Sequence, residues 1–226
     1  MKTILMAWLL TSVVWTAVAA DSVRLESKAE KLIAKFESLQ QKGDKGVPAD
    51  VLKKAQAIVL LDRTKAGFVF AFQGGGGVAM ARDPKSGQWG ALSFMKANEA
   101  SLGFQIGGQQ SFLVILLMTQ ASAEQLAATT FEFGGEARGT AGDVSAGEEG
   151  TIASEERSIL VYGDRQGLFG GAALKGGALN PDQEANRLYY GEWLGTQEIL
   201  FGKKVKPTKA ALKFAEKIEA FSKGGK

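Results

Sequence analysis

The sequence predicts an α+β fold: a single domain whose mostly antiparallel, curled or barrel-like sheet of glycine-rich strands is flanked by N- and C-terminal amphipathic helices. Three observations predict it. Apolar residues recur at helical spacing near both ends, at Leu25, Ala29, Leu32, Phe36 and Leu39 and again at Ala211, Phe214, Ala215, Ile218 and Phe221. Between them lie short apolar runs punctuated by glycine and turn residues, which is strand patterning. The order helices, strands, helices, with no linker-like stretch, favours one domain with its helices packed on a sheet.

The elements follow in order. Residues 1–20 read as a secretory signal: Lys2 is a short positive start, Ile4 to Val18 is almost wholly apolar, and Ala17-Val-Ala-Ala20 offers small residues for cleavage after Ala19 or Ala20. The apolar run is shorter than the roughly 18–20 residues of a membrane span. This predicts an exported chain of residues 21–226, periplasmic or secreted. Residues 22–42 form the first helix, stopped at Gly43-Asp-Lys-Gly46. Pro48 suits the first turn of a second helix reaching about Ala57.

Strands are expected at Ile58–Leu61, Gly67–Gln73, Val78–Arg82, Trp89–Phe94, Ser101–Ile106 and Phe112–Met118, with Gly74 to Gly77 as a tight connection and Asp83 to Gly87 as a turn. Ser122 is expected to cap a short helix to about Ala128. Further strands are expected at Thr130–Phe133, Ser158–Tyr162, Leu168–Leu174 and Ala178–Leu179, with residues 134–154 as strand or loop. Asn180-Pro181 opens a helix to about Tyr190. Pro207 and Thr208 start the last helix, which carries Lys209, Lys213 and Lys217 four residues apart and ends at Gly224-Gly225.

Composition removes whole classes of chemistry. With no Cys and no His among 226 residues, thiol nucleophiles, Zn-thiolate and His-metal sites, and Ser-His or Cys-His catalysis are excluded. No cofactor or metal is expected. The four glycines lack the Lys-Ser/Thr that a phosphate loop needs, and Val78-Ala79 follows instead. They do not open a helix, as a dinucleotide fingerprint would. Asp143 to Glu149 fails the calcium-loop pattern, with Glu148 at its sixth position and Ser154 at its twelfth. Glu148-Glu149 and Glu155-Glu156 read as a solvated acidic loop.

Charge is uneven. Residues 21–65 carry 10 basic and 7 acidic groups, residues 66–195 carry 8 and 14, and residues 196–226 carry 8 and 3. Basic ends therefore bracket an acidic middle. The basic residues are interspersed with Glu, so no nucleic-acid partner is expected. A lysine-bearing amphipathic helix either lies on an anionic membrane surface or simply covers a core with its lysines in water. Trp89, Trp193, Tyr162, Tyr189 and Tyr190 are similarly open between stacking on a ligand and filling a core.

An ordered series of motifs is more specific: Val47-Pro48, Leu52 to Ala57, Lys65-Ala-Gly-Phe68, Gly74-Gly-Gly-Gly-Val78, Arg82-Asp83, Gly87-Gln-Trp89, Ser93-Phe94, Ser101 to Gln109, Tyr162, Gly167-Leu-Phe-Gly-Gly171, Leu174, Gly176, Asn186 and Tyr189-Tyr-Gly191. Over roughly residues 30–202 it resembles the SYLF lipid-binding domain family, whose eukaryotic members bind phosphoinositide-rich membranes and, in some cases, actin. The resemblance implies a non-enzymatic, membrane-peripheral protein of this family's bacterial exported type. Its partner would be an anionic lipid surface, phosphoinositide or another anionic phospholipid. It also implies that the Leu25–Leu39 helix meets headgroups through Lys28, Lys31 and Lys35, with Phe36 on its apolar face. Lys203, Lys204, Lys206, Lys209 and Lys213, in a Lys-rich C-terminal segment over 203–226, complete the candidate lipid-binding set. An exported protein would not meet actin, so actin is not an expected partner. A cell-envelope protein-interaction module is the alternative.

Overall fold

The computed structural model describes residues 2–43, 46–66, 72–97, 110–133, 158–163, 167–168 and 177–224. Helix α1 (Lys2–Gln40) and the short α2 (Ala49–Lys54) precede four strands: β1 (Ala57–Ala66), β2 (Phe72–Arg82), β3 (Trp89–Ala97) and β4 (Gln110–Leu117). Then come α3 (Gln120–Glu124) with a 3₁₀ turn, β5 (Phe131–Phe133), β6 (Ile159–Gly163), β7 (Gly167–Leu168) and β8 (Gly177–Pro181). Helices α4 (Gln183–Tyr190), α5 (Thr196–Leu200) and α6 (Lys209–Ser222) close the chain. All strands join one antiparallel sheet in the order β5-β8-β3-β2-β1-β4-β6-β7. The α+β class, the single domain and the curled, barrel-like sheet expected from the sequence are all present.

Both faces of the sheet are buried. Ile58, Leu60, Val78, Met80, Leu92, Phe94, Val114 and Leu116 meet the helical layer, where the α1 stripe and Ala210, Ala211, Phe214 and Ile218 of α6 pack on them. The alternate residues Val59, Leu61, Ala79, Met95, Leu113 and Ile115 gather with Phe131, Phe133 and Leu179. Side chains from the outer strands β5 and β8 thus share a core with the central ones, as curling requires. Large side chains buried this way contribute about 1.5–3 kcal/mol each. Exposed ion pairs contribute about 0–1 kcal/mol, so apolar packing decides where the helices sit.

The glycine run corrects the expectation of a tight connection. Gly74 to Gly77 lie inside β2, paired with Thr64 to Leu61 of β1, so they are strand and not a connection; of the expected strand Gly67–Gln73, only Phe72 and Gln73 are among the described residues. The ladder needs close approach here: a Cβ on Gly77 would fall 2.3 Å from the Leu60 carbonyl oxygen. A Cβ on Gly76 would fall 2.6 Å from Lys28 Nζ of α1.

Two helix starts also differ from expectation. Thr119, not Ser122, caps α3; the Ser122 hydroxyl oxygen accepts from the Thr119 N–H at 3.2 Å and completes a capping box. Asn180 and Pro181 end β8 rather than opening α4, whose cap is Asp182, accepting from Ala185 N–H. The expected strand Ser101–Ile106, the segment 134–154 and most of Leu168–Leu174 lie outside the described residues.

Helix α4 finishes the outer side of β3. Strand β8 pairs with β3 only at Met95–Ala97, which leaves the backbone of Leu92 to Phe94 without a strand on that side. Asn186, fully buried, accepts from Phe94 N–H at 2.7 Å and donates to the Phe94 carbonyl and to Ser93 Oγ. One turn later the Tyr190 hydroxyl donates to the Leu92 carbonyl. Spacing of four on the helix is thereby matched to spacing of two on the strand.

Candidate functional site

The end of the helical layer is built around one carboxylate. Glu26 of α1 accepts from Ala210 N–H, in the first turn of α6, at 2.7 Å, and also from the Tyr189 hydroxyl of α4. Tyr189 shares a further hydrogen bond with Thr208, the N-cap of α6. Burial, and then the Glu26 hydrogen bond, push the Tyr189 hydroxyl far above its ordinary pKa; burial does the same for Tyr190 and holds Tyr162 up at about 12. Tyr189 and Tyr190 therefore stay neutral and hydrogen-bond within the fold.

The exposed large apolar residues stand near this junction in the chain. Val23, 69 % exposed, is three residues before Glu26; Trp193, 68 % exposed, is four after Tyr189; Leu212, 54 % exposed, is four after Thr208. The Arg187 guanidinium lies over the Trp193 ring, 5.3 Å from its centroid. Trp89, by contrast, is buried with Arg82 over its ring at 4.3 Å.

The sequence-derived candidates divide by environment. Phe36 is fully buried, edge-on to Phe214 at 5.4 Å and Phe221 at 5.9 Å, so it holds α1 against α6 and is not presented to solvent. Lys35 pairs with Asp62 on β1, and Lys203 with Asp83 at 2.7 Å. Hydrogen bonds from Lys203, then from Ser86, hold the Asp83 carboxyl well below the usual carboxylate range. Lys28 is half-buried over Gly76, and Lys31 is exposed. Lys204, Lys206, Lys209 and Lys213 are exposed, and none makes an ion pair among the described residues.

Lys209 and Lys213 thus flank Leu212 on α6, and Lys204 and Lys206 precede the helix. The sequence reading missed Val23 and Leu212, although both fall off the apolar stripes of their helices among charged residues, which was the available signal. Among the described residues no group of three Asp or Glu could hold a metal ion, and no helix is long and apolar enough to cross a membrane. The acidic pairs Glu148-Glu149 and Glu155-Glu156 lie outside the described residues.

The chain is thus a curled sheet with helices packed on it, and its helical layer carries cations that make no ion pair among the described residues. Comparison with known proteins gives the family. The family model described as "Ysc84: Las17-binding protein actin regulator" matches residues 98–221, which takes in most of α6. "SH3 domain-containing YSC84-like protein 1" of Xenopus laevis is 34 % identical over 188 residues, covering 81 % of this chain and 56 % of the relative. Its Homo sapiens counterpart is 33 % identical over 187 residues, covering 81 % and 54 %. "LAS seventeen-binding protein 3" of Saccharomyces cerevisiae is 33 % identical over 186 residues, covering 78 % and 39 %. No solved structure matches. The chain belongs to the Ysc84, or SYLF, family. It spans about half the length, or less, of these curated relatives.

Proposed function

We propose that this chain is an exported, non-enzymatic domain that docks on an anionic phospholipid surface through the start and outer face of α6. The observation that carries this reading is the run of exposed lysines free of ion pairs among the described residues, Lys204, Lys206, Lys209 and Lys213, with Leu212 exposed between the last two. Each lysine near an anionic membrane contributes about 1 kcal/mol, so four together favour the bound state about a thousandfold. Exposed Trp193 and Leu212 suit the headgroup boundary, where an aromatic or aliphatic side chain leaves water while neighbouring cations stay solvated. Export rests on the first 20 residues and makes the partner surface periplasmic or extracellular.

Flotation of the exported protein with vesicles tests this. Recovery with phosphatidylglycerol, none with phosphatidylcholine, and loss in the Lys204→Glu, Lys206→Glu, Lys209→Glu, Lys213→Glu variant is the expected result. Equal recovery with both vesicles and with none would overturn it. The name of the yeast relative, a binding protein for another protein, favours a second reading, in which the same cations meet a protein partner. A complex that survives detergent and is lost in the same variant would select it.

A further inference from the structure

On the helix-facing side of the sheet, one row crosses three strands as Lys96 on β3, Gly76 on β2 and Asp62 on β1. Neighbours in such a row have side-chain origins about 5 Å apart. Two lysines of α1 descend onto it. Lys35 pairs with Asp62 through Oδ2, while Asp62 Oδ1 is buried without a hydrogen-bond partner. Lys28 comes down over Gly76, its ammonium occupying the space a side chain there would take. Neither Lys28 nor Lys96 makes an ion pair among the described residues. Two lysines without an ion pair among the described residues thus meet a floor with no side chain, Lys28 from above and Lys96 from the neighbouring strand, beside a carboxylate that already has a lysine partner.

We propose that Lys28 and Lys96, over the Gly76 floor, form a binding site for a phosphate group. A compact tetrahedral dianion can accept from both ammoniums at once, and each lysine brings up to three donors as a point charge. Gly76 supplies room rather than donors, because its backbone lies in a strand paired on both sides. The Lys35–Asp62 pair stands next to Gly76 in the same row, so the site sets three lysines against one carboxylate. The phosphate can arrive free, as a soluble phosphomonoester, or on the headgroup of a lipid such as phosphatidic acid. The site uses none of Lys204, Lys206, Lys209 and Lys213, so it does not depend on the docking reading above.

The test titrates the exported protein with inorganic phosphate and with glycerol 3-phosphate, followed by calorimetry. A parallel arm compares phosphatidic acid with phosphatidylglycerol vesicles at matched surface charge. Binding in the soluble arm identifies a free phosphomonoester. Preference for phosphatidic acid without soluble binding identifies the headgroup. In whichever arm binds, Lys28→Met and Lys96→Met each lower affinity about tenfold or more, as expected for a lost charged hydrogen bond. Gly76→Ala keeps every charge but sets a Cβ against the Lys28 ammonium, a flexible tip that can move aside, so the protein folds and affinity falls several-fold. Lys213→Met leaves soluble phosphate binding unchanged, and the fourfold α6 reversal keeps it while losing flotation. No binding in either arm, or one affinity shared by the wild type, Lys28→Met, Lys96→Met and Gly76→Ala, overturns the proposal.

Discussion

Lys213 and Lys217 stand one turn apart on α6, yet their surroundings differ. Lys217 leans toward α1 and pairs with Glu37; Lys213 faces solvent with no ion pair among the described residues. The same division recurs on α1, where Lys35 is tied to Asp62 and Lys31 is free. Lysines at the seam between elements act as weak staples, each worth about 0–1 kcal/mol. Those one position further around the helix keep their charge for something outside the fold. Net charge of a helix therefore says less about binding than which of its charges the fold has already used.

The largest effect expected from this division is on membrane recovery. Reversing Lys204, Lys206, Lys209 and Lys213 to Glu should lower partition onto phosphatidylglycerol vesicles at least about a thousandfold, with an unchanged thermal midpoint. A variant that still floats would erase the distinction between free and stapled lysines. Next in size is Glu26→Ala, which orphans the α6 N-terminus and the Tyr189 hydroxyl. Urea unfolding should show a loss of about 2 kcal/mol, while the folded fraction still binds vesicles.

Lys217→Met should cost under about 1 kcal/mol in the same assay and leave flotation nearly unchanged. A large flotation loss there would move Lys217 into the free class. The smallest effect concerns acid. Asp83 has a lowered pKa in the folded chain, so its contribution is present above the unfolded value of about 3.9 and is lost as pH falls through the folded one. Lys203→Met should flatten that acid-side decline in thermal midpoint; superimposable profiles would remove Lys203 as its cause.

Helical stripes at Leu25–Leu39 and Ala211–Phe221 were legible because burial repeats with the helix period. Strand positions around Ile58, Trp89 and Phe112 were legible from apolar runs bounded by turns. Gly74–Gly77 was misread because glycine serves a turn and a close strand approach equally well in sequence. Only the position of the Leu60 carbonyl and of Lys28 decides between them. The same limit applies to the candidate lysines. Whether Lys35 is free depends on Asp62, 27 residues away, and Lys203 depends on Asp83. Phe36 looked available from its stripe, but the stripe states only that a face is apolar; Phe214 and Phe221 state what covers it.

The buried Asn186 and the Tyr190 hydroxyl have a consequence beyond local hydrogen bonding. The stretch Leu92 to Phe94 is buried, extended and flanked by a strand on one side only, which makes it a template for any passing strand. By occupying that template with side chains of its own helix, the chain withholds it from a second copy. Release of α4 would turn a buried strand side into an adhesive edge. The motif residues around 186–191 therefore cover an edge as well as build the fold.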